Sequence, residues 1–410
     1  MKALARFLHG LLLLHNIENL LSMNYILFDD HNRKNLLPLV FTRPVSDIRV
    51  GILTIREKWE LFLGEKTSSL TEPYLSDKWS LVKADDNIFI NGSILPNKEL
   101  VEEILKLKTD CALIKEDDII AMRFSSDDIW NEATNAIETD VDYVKIEYPW
   151  EIFEKNSDAI ADDFALLTQG RKSAPLSTTV RAIHPENIFL EEGAKIEHAT
   201  LNATHGPIYI GKNAEVMENA VIRAPFAICE NAVVRVGAII YKGTTIGPYC
   251  KIGGEVENSV FFGYSNKPHD GFMGHSVIGE WCNIAAGTIT SNLNNTYQPV
   301  RLWNYVQERF IQTNQQFLGL IMGDHSKTGI NTMFNTGTVV GVFCNVFGSG
   351  YQKNFISSFS WGGETSTPYN LKKAIETAKI VYMRRGKELT KDDETMIKTI
   401  YDITSKNMRL

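Results

Sequence analysis

Cysteine is scarce and irregular in this chain. The five present (Cys111, Cys229, Cys250, Cys282 and Cys344) are odd in number, scattered and without Cys-x-x-Cys spacing. That pattern excludes a zinc ribbon or disulfide framework and fits reduced thiols in a reducing compartment. Excess positive charge is also lacking: 42 Lys and Arg against 50 Asp and Glu leave a formal net charge of -8. A nucleic-acid binder held by phosphate contacts needs the opposite balance. No apolar run reaches membrane length. Lys2 and Arg6 precede Leu11, Leu12, Leu13 and Leu14, but no Ala-x-Ala-like site follows and the stretch is far short of a span. Met23 opens a credible first strand, so Met23 is expected to be the natural start, residues 1–22 an upstream extension and the protein cytoplasmic, without a membrane partner. The rest is ordinary: 44% hydrophobic and 22% charged over 410 residues, a length for two or three domains.

A repeat dominates the second half. Ile210, Val216, Ile222, Ile228, Val234, Ile240, Ile246 and Ile252 stand six apart, and the position four after each is small or apolar, from Ala214 to Val256. A period of six fits neither a helix nor a simple strand. It predicts a parallel β-helix, whose short strands each point one side chain inward. The register is expected to break at 261–275 into an outward loop, to resume at Ile278, Ile284 and Thr290, and to return after an insertion at about 293–320 with Met322, Thr328, Phe334, Val340 and Val346.

Other segments read differently. Residues 23–150 predict an α/β domain with strands at 25–28, 87–90 and 111–114 and a helix at 52–62. Residues 151–188 read as a linker helix, 189–350 as the coil and 351–410 as a helical cap across its open end. Thr390 with Asp393 approximates a capping box in that last region.

Chemistry concentrates where the register breaks. His269 in the 265–275 stretch is a candidate general base, because imidazole titrates near working pH. Ala285, Ala286 and Gly287 leave room for a long thin cofactor, and their backbone N–H groups suit its amides or a developing oxyanion. A zinc site from His269, His275 and His325 matches no standard spacing, so no metal is expected there. Arg223, Arg235 and Lys242 could supply positive charge from the coil or be solvated outward side chains.

The stretch from His269 through Asn283-Ile284-Ala285-Ala286-Gly287-Thr288-Ile289-Thr290-Ser291-Asn292 resembles the acyltransferase half of the bifunctional N-acetylglucosamine-1-phosphate uridyltransferase/glucosamine-1-phosphate acetyltransferase family. The resemblance covers roughly 190–350. It implies a left-handed β-helix, a homotrimer and acetyl-CoA bound between neighbouring coils. It makes His269 the catalytic base, Asn283, Asn292 and Phe272 acceptor-site residues and Ala286 the contact to the acetyl-CoA thioester; beside it, Gly287 is taken as a further cofactor contact and Arg235 and Lys242 as charge for the acceptor in place of the family's lysines. Phe272 replaces the family's Tyr, and Gly253-Gly254-Glu255-Val256-Glu257 is acidic where the family presents lysines, which leaves the acceptor open among amino sugars, sugar phosphates and nucleotide sugars.

The N-terminal region is similar in frame to sugar nucleotidyltransferases. The strand at 25–28 runs into Asp29-Asp30-His31-Asn32-Arg33, but the glycines that wrap nucleotide phosphates are missing. Ser93 stands where a Mg²⁺-binding Asp is expected, so Mg²⁺ enters only if nucleotidyl transfer is retained. Arg33 and Arg43 are the candidates for a remaining phosphate contact, or they form ion pairs. The leading expectation is an acyl-CoA-dependent transferase acting on an amino sugar or sugar phosphate. The alternatives are a sugar-1-phosphate nucleotidyltransferase and a non-catalytic trimer that binds a nucleotide sugar.

Overall fold

A computed structural model describes residues 23–124, 135–363 and 365–405; the expectations about residues 1–22 lie outside the described residues. The chain divides into two compact units, one of residues up to Asp30 with Ile55–Lys145, the other of His31–Thr54 with Ile146–Leu410.

The first unit is built on a six-stranded sheet. Asn24–Phe28 pairs in parallel with Thr67–Leu70 and Asn87–Asn91, and the sheet continues through antiparallel Asp118–Phe124 and Cys111–Lys115 to Asn135–Glu138. Ile26, Phe28, Phe89 and Phe124 form one of its apolar clusters. The Ile55–Leu63 helix buries Trp59, whose indole N–H donates to the Ile94 carbonyl at 2.8 Å.

The second unit is a parallel β-helix with three faces. On one face Ile210, Ile228 and Ile246 are in register, 18 residues apart, so three hexads make one turn. The same row continues through Phe261, Ile278, Met322, Val340 and Ile356. A second row runs Ile196, Val216, Val234, Ile252 and Lys267. A third runs Leu201, Ile222, Ile240, Val256 and Met273. The inward side chains stack into one continuous core, each fully buried aliphatic contributing roughly 1.5–3 kcal/mol.

Two expectations need correction here. The 261–275 stretch is not an outward loop. Phe261, Lys267 and Met273 occupy the three inward slots of an ordinary turn, still six apart; the aliphatic pattern stops only because the middle slot holds a lysine. Nor do the C-terminal helices lie across an open end. Leu371–Met383 and Lys391–Thr404 pack along one corner of the coil, Tyr382 stacking on Trp281 at 4.1 Å and Tyr401 meeting Phe359 edge-on at 4.9 Å. The Thr390–Asp393 capping box is formed.

That corner explains the placement. Asn213 and Asn231 hold its left-handed position in the early turns, and Tyr249, Tyr264, Trp281, His325, Phe343 and Phe359 hold it afterwards, all with φ between 53° and 61°. Asparagine tolerates this conformation, whereas a bulky ring there costs about 1–3 kcal/mol. Stacking within the column, 4.9 Å for Tyr249–Tyr264 and 4.2 Å for Tyr264–Trp281, returns only about 0.5–1.5 kcal/mol per pair. Covering the column with the helices adds the burial that offsets the remainder.

The 31–54 segment belongs to the β-helix unit. Its apolar residues Leu36, Leu39, Val40, Ile48 and Val50 are fully buried. The backbone N–H groups of Ile52 and Leu53 donate to Asp163 Oδ2 at 2.7 and 3.0 Å, and that of Gly51 donates to Asn156 Oδ1 at 2.7 Å. Both partners come from the Asn156–Thr168 helix, whose Asn156 amide in turn donates to the Gly243 carbonyl of the coil. Gly51 has φ +81° and a Cβ there would lie 2.5 Å from Asp163 Oδ2, so only glycine fits.

Candidate functional site

The coil brings some of the expected residues together at one corner. Lys267 points inward, and its Nζ donates to the carbonyls of Gly253 (3.0 Å) and His269 (2.8 Å). This fixes the main chain at His269 while the imidazole stands exposed on the outside. One turn further on, the Gly287 N–H donates to the Asp270 carbonyl at 3.1 Å, and the Asn331 N–H donates to the Ala286 carbonyl at 2.9 Å. His269, Ala286 and Gly287 therefore share a corner on successive turns, about 4.8 Å apart. The close stacking is steric as well: a Cβ at Gly271 would lie 2.0 Å from the Thr288 carbonyl oxygen. Of the N–H groups expected to face a cofactor, that of Ala285 is given to Thr328 Oγ1 at 2.9 Å and that of Gly287 to Asp270.

Phe272 and Asn292 meet at a second place. A Cβ on Gly274 would lie 2.5 Å from Asn292 Nδ2 and 2.7 Å from the Phe272 ring, so both side chains close over that glycine. Asn292 Nδ2 lies 3.0 Å from His275 Nδ1, and the His275 ring stacks on Phe317 and meets Phe153 edge-on. Burial, with Lys242 adding repulsion, lowers the His275 pKa to about 4. His275 is thus a neutral, packed ring and Lys242 lies within electrostatic reach of it.

Asn283 is elsewhere again. It bridges in parallel to Asn266 and Lys327 and lines a cleft of about 520 Å³ with Lys251, Lys327, Arg384 and Arg385. Arg235 is exposed, with its Cβ beneath Gly253 on the corner that carries His269. Cys282 also lines the cleft, but burial pushes its thiol up to about 12, which removes it as a nucleophile.

Arg33 and Arg43 do not present phosphate ligands. Arg33 is buried with its guanidinium donating to the Val40 carbonyl, and Arg43 is buried against Asp324. The reason is the composition of the 31–54 segment: its one glycine, Gly51, is committed to the turn against Asp163, and Leu36, Leu39, Val40, Phe41, Val45 and Val50 are buried. Ser93 is buried with its hydroxyl donating to Asn91 Oδ1 at 2.7 Å, and Asp30 pairs with Lys145 at 3.1 Å. These groups do not fit a Mg²⁺ site, and among the described residues no three His, Cys, Asp or Glu gather as a metal site.

Several site residues escaped the sequence reading. Lys267 interrupts an apolar row, which hid it. The aromatic corner column had a visible signal: Tyr249, Tyr264, Trp281, His325, Phe343 and Phe359 each immediately precede a Cys or Ser. Lys251 and Lys327 each precede an inward hexad residue, Ile252 and Thr328, so they face outward.

Residues 25–172 match a family model described as sugar nucleotidyl transferase. The chain is 34% identical over 113 residues to the bifunctional protein GlmU of Methanocaldococcus jannaschii, covering 28% of this chain and 26% of that protein. It is 28% identical over 190 residues to a bifunctional sugar-1-phosphate nucleotidylyltransferase/acetyltransferase of Sulfurisphaera tokodaii, covering 41% of this chain and 47% of that protein. The matches thus span between about a quarter and a half of these relatives' lengths. A crystal structure of the polySia specific acetyltransferase NeuO superposes with a TM-score of 0.27 at 14% identity, covering 46% of this chain and 84% of that one, a likeness that carries no functional weight. Among the described residues no helix is long and apolar enough to cross a membrane. The chain thus joins a region that matches the sugar nucleotidyl transferase model to a β-helix built from hexads, and over part of its length it is similar to the bifunctional GlmU proteins.

Proposed function

We propose that this chain is an acyltransferase that moves an acyl group from acetyl-CoA or another acyl-CoA to the amine of an amino sugar, sugar phosphate or nucleotide sugar. The observation that carries the reading is the shared corner of His269, Ala286 and Gly287 on successive turns. His269 takes the proton from the attacking amine, its main chain held in place by Lys267. Ala286 and Gly287 offer a shelf of small side chains on which the pantetheine arm is held; acetyl-CoA supplies the activated thioester. Asn283 and Asn292, with Phe272, Arg235 and Lys242, orient the acceptor. Asn283 stands apart from the Asn292–Phe272 pair on the coil, so the two asparagines serve different parts of the ligands, or sites that a trimer brings together. We place the protein in the cytoplasm, where acyl-CoA is available. The test is thiol release from acetyl-CoA with a panel of amino sugars and their phosphates: His269→Ala is expected to lower the rate about 10²-fold or more, and an unchanged rate overturns the assignment.

For the N-terminal unit we infer recognition without nucleotidyl transfer, on the strength of Ser93 bonded to Asn91 and the phosphate-loop segment buried elsewhere. Magnesium-dependent pyrophosphate release from UTP or dTTP with sugar 1-phosphates overturns this if it occurs.

A further inference from the structure

The cleft beside Asn283 carries charged residues to which the proposed reaction has assigned no role. It is formed by the outer face of the coil and the C-terminal end of the Leu371–Met383 helix. Its volume of about 520 Å³ falls in the range of small-molecule sites, roughly 300–1,000 Å³. Among the described residues four cations line it, Lys251 and Lys327 from the coil and Arg384 and Arg385 from the helix end, and no carboxylate does. Among the described residues none of the four is ion-paired. This concentration runs against the net charge of -8 for the chain, and clustering four like charges is unfavourable unless an anion compensates.

The groups are arranged for one. Lys327 is held by a single bond, from Nζ to the His325 carbonyl at 2.8 Å, and burial lowers its pKa to about 8, so its charge is desolvated without a counter-charge. Arg385 is steered by donation to Asn266 Oδ1 at 3.0 Å. Basic residues at a helix C-terminus have an ordinary rationale in the helix dipole, but that does not account for Lys251 and Lys327 opposite them. Guanidinium forks with lysine point charges suit phosphate oxygens. Tyr264, Trp281 and Val381 supply an apolar wall.

We propose that this cleft binds the phosphate or diphosphate group of a small-molecule ligand, held by Lys251, Lys327, Arg384 and Arg385. Pro268 lines the same cleft, one residue before His269, so a phosphate anchored there belongs to a molecule that reaches towards the catalytic corner. The proposal does not depend on acyl transfer, because binding is read directly.

The test is calorimetry on the full chain with inorganic pyrophosphate, followed by displacement with UDP and with coenzyme A. Wild-type protein is expected to bind pyrophosphate more weakly as salt rises. The double variant Lys251→Gln, Arg384→Gln changes two exposed side chains and is expected to bind at least about tenfold more weakly with an unaltered circular dichroism spectrum. Displacement by UDP alone supports a nucleotide-sugar phosphate, and displacement by coenzyme A alone supports the donor's phosphates. Absence of binding up to about 10 mM, well above even the weak millimolar range, overturns the proposal. So does equal binding by the double variant, or displacement by neither nucleotide.

Discussion

Arg43 and Asp324 form an ion pair with both side chains withdrawn from water, 6% and 4% exposed, and it ties the 31–54 segment to the late turns of the coil. Asp324 Oδ2 also accepts from Thr42 Oγ1 at 2.7 Å, and Oδ1 accepts from the Glu280 N–H at 2.8 Å. Burial disfavours the Arg43 charge, but Asp324 and Glu280 outweigh it and hold its pKa above the usual value. The guanidinium also lies 5.1 Å from the Phe262 ring centroid.

Removing one partner leaves the other charge buried. Asp324→Ala is therefore expected to destabilise the β-helix unit by about 3–5 kcal/mol, while the double change Arg43→Met, Asp324→Leu recovers most of that loss. Urea denaturation of the three proteins checks this. A cost for Asp324→Ala below about 1 kcal/mol, the level of a surface pair, would show that the pair is solvated.

His275 makes the same unit sensitive to acid. Its folded pKa of about 4 lies below the imidazole model value of 6.5, so the unfolded chain takes up the proton first as pH falls. Stability is full above about pH 6.5 and is lost progressively towards pH 4, by up to about 3 kcal/mol. His275→Phe keeps a ring between Phe153 and Phe317 and is expected to flatten this dependence, although it forfeits the Asn292 contact. Unfolding midpoints at pH 7 and pH 4.5 decide it, and parallel pH dependences in both proteins would exclude His275 as the source.

The sequence was legible where a side chain's role depends on its own row. Ile210 to Ile252 fill one hexad slot each, so spacing alone revealed the coil, and the strands at Asn24–Phe28, Asn87–Asn91 and Cys111–Lys115 appeared where apolar runs predicted them. It failed where the role depends on a partner far along the chain. Lys267 reads as a loop residue until the Gly253 carbonyl beneath it is known. Arg43 reads as a phosphate ligand until Asp324, 281 residues away, is seen beside it. The C-terminal helices were readable from their own periodicity, but their seat depends on the aromatic corner column, whose successive members lie between 15 and 44 residues apart. For the site, the shared corner of His269, Ala286 and Gly287 depends on Lys267 filling an inward slot, and the lysine there made the turn read as an outward loop. The cleft lined by Lys251, Lys327, Arg384 and Arg385 joins two elements that no local pattern connects.

Lys267 offers a separate test of the catalytic corner. It is a positioning residue: its Nζ holds the Gly253 and His269 carbonyls and its stem fills an inward slot otherwise given to aliphatics. Lys267→Met conserves the volume of that stem, so the coil is expected to change in stability by less than about 1.5 kcal/mol, the lost bonds being set against a more apolar core. The main chain at His269 is released, however, and kcat for acyl transfer is expected to fall about tenfold with KM little changed. A purely structural lysine would not alter the pH profile. Here burial has lowered the Lys267 pKa to about 8, so below that pH the amine donates charge-assisted bonds, and above it the bonds are those of a neutral amine, roughly half as strong. The wild-type kcat/KM is therefore expected to decline as pH rises through about 8, and the decline should vanish in Lys267→Met. If the variant retains the same alkaline limb, Lys267 does not set the position of His269.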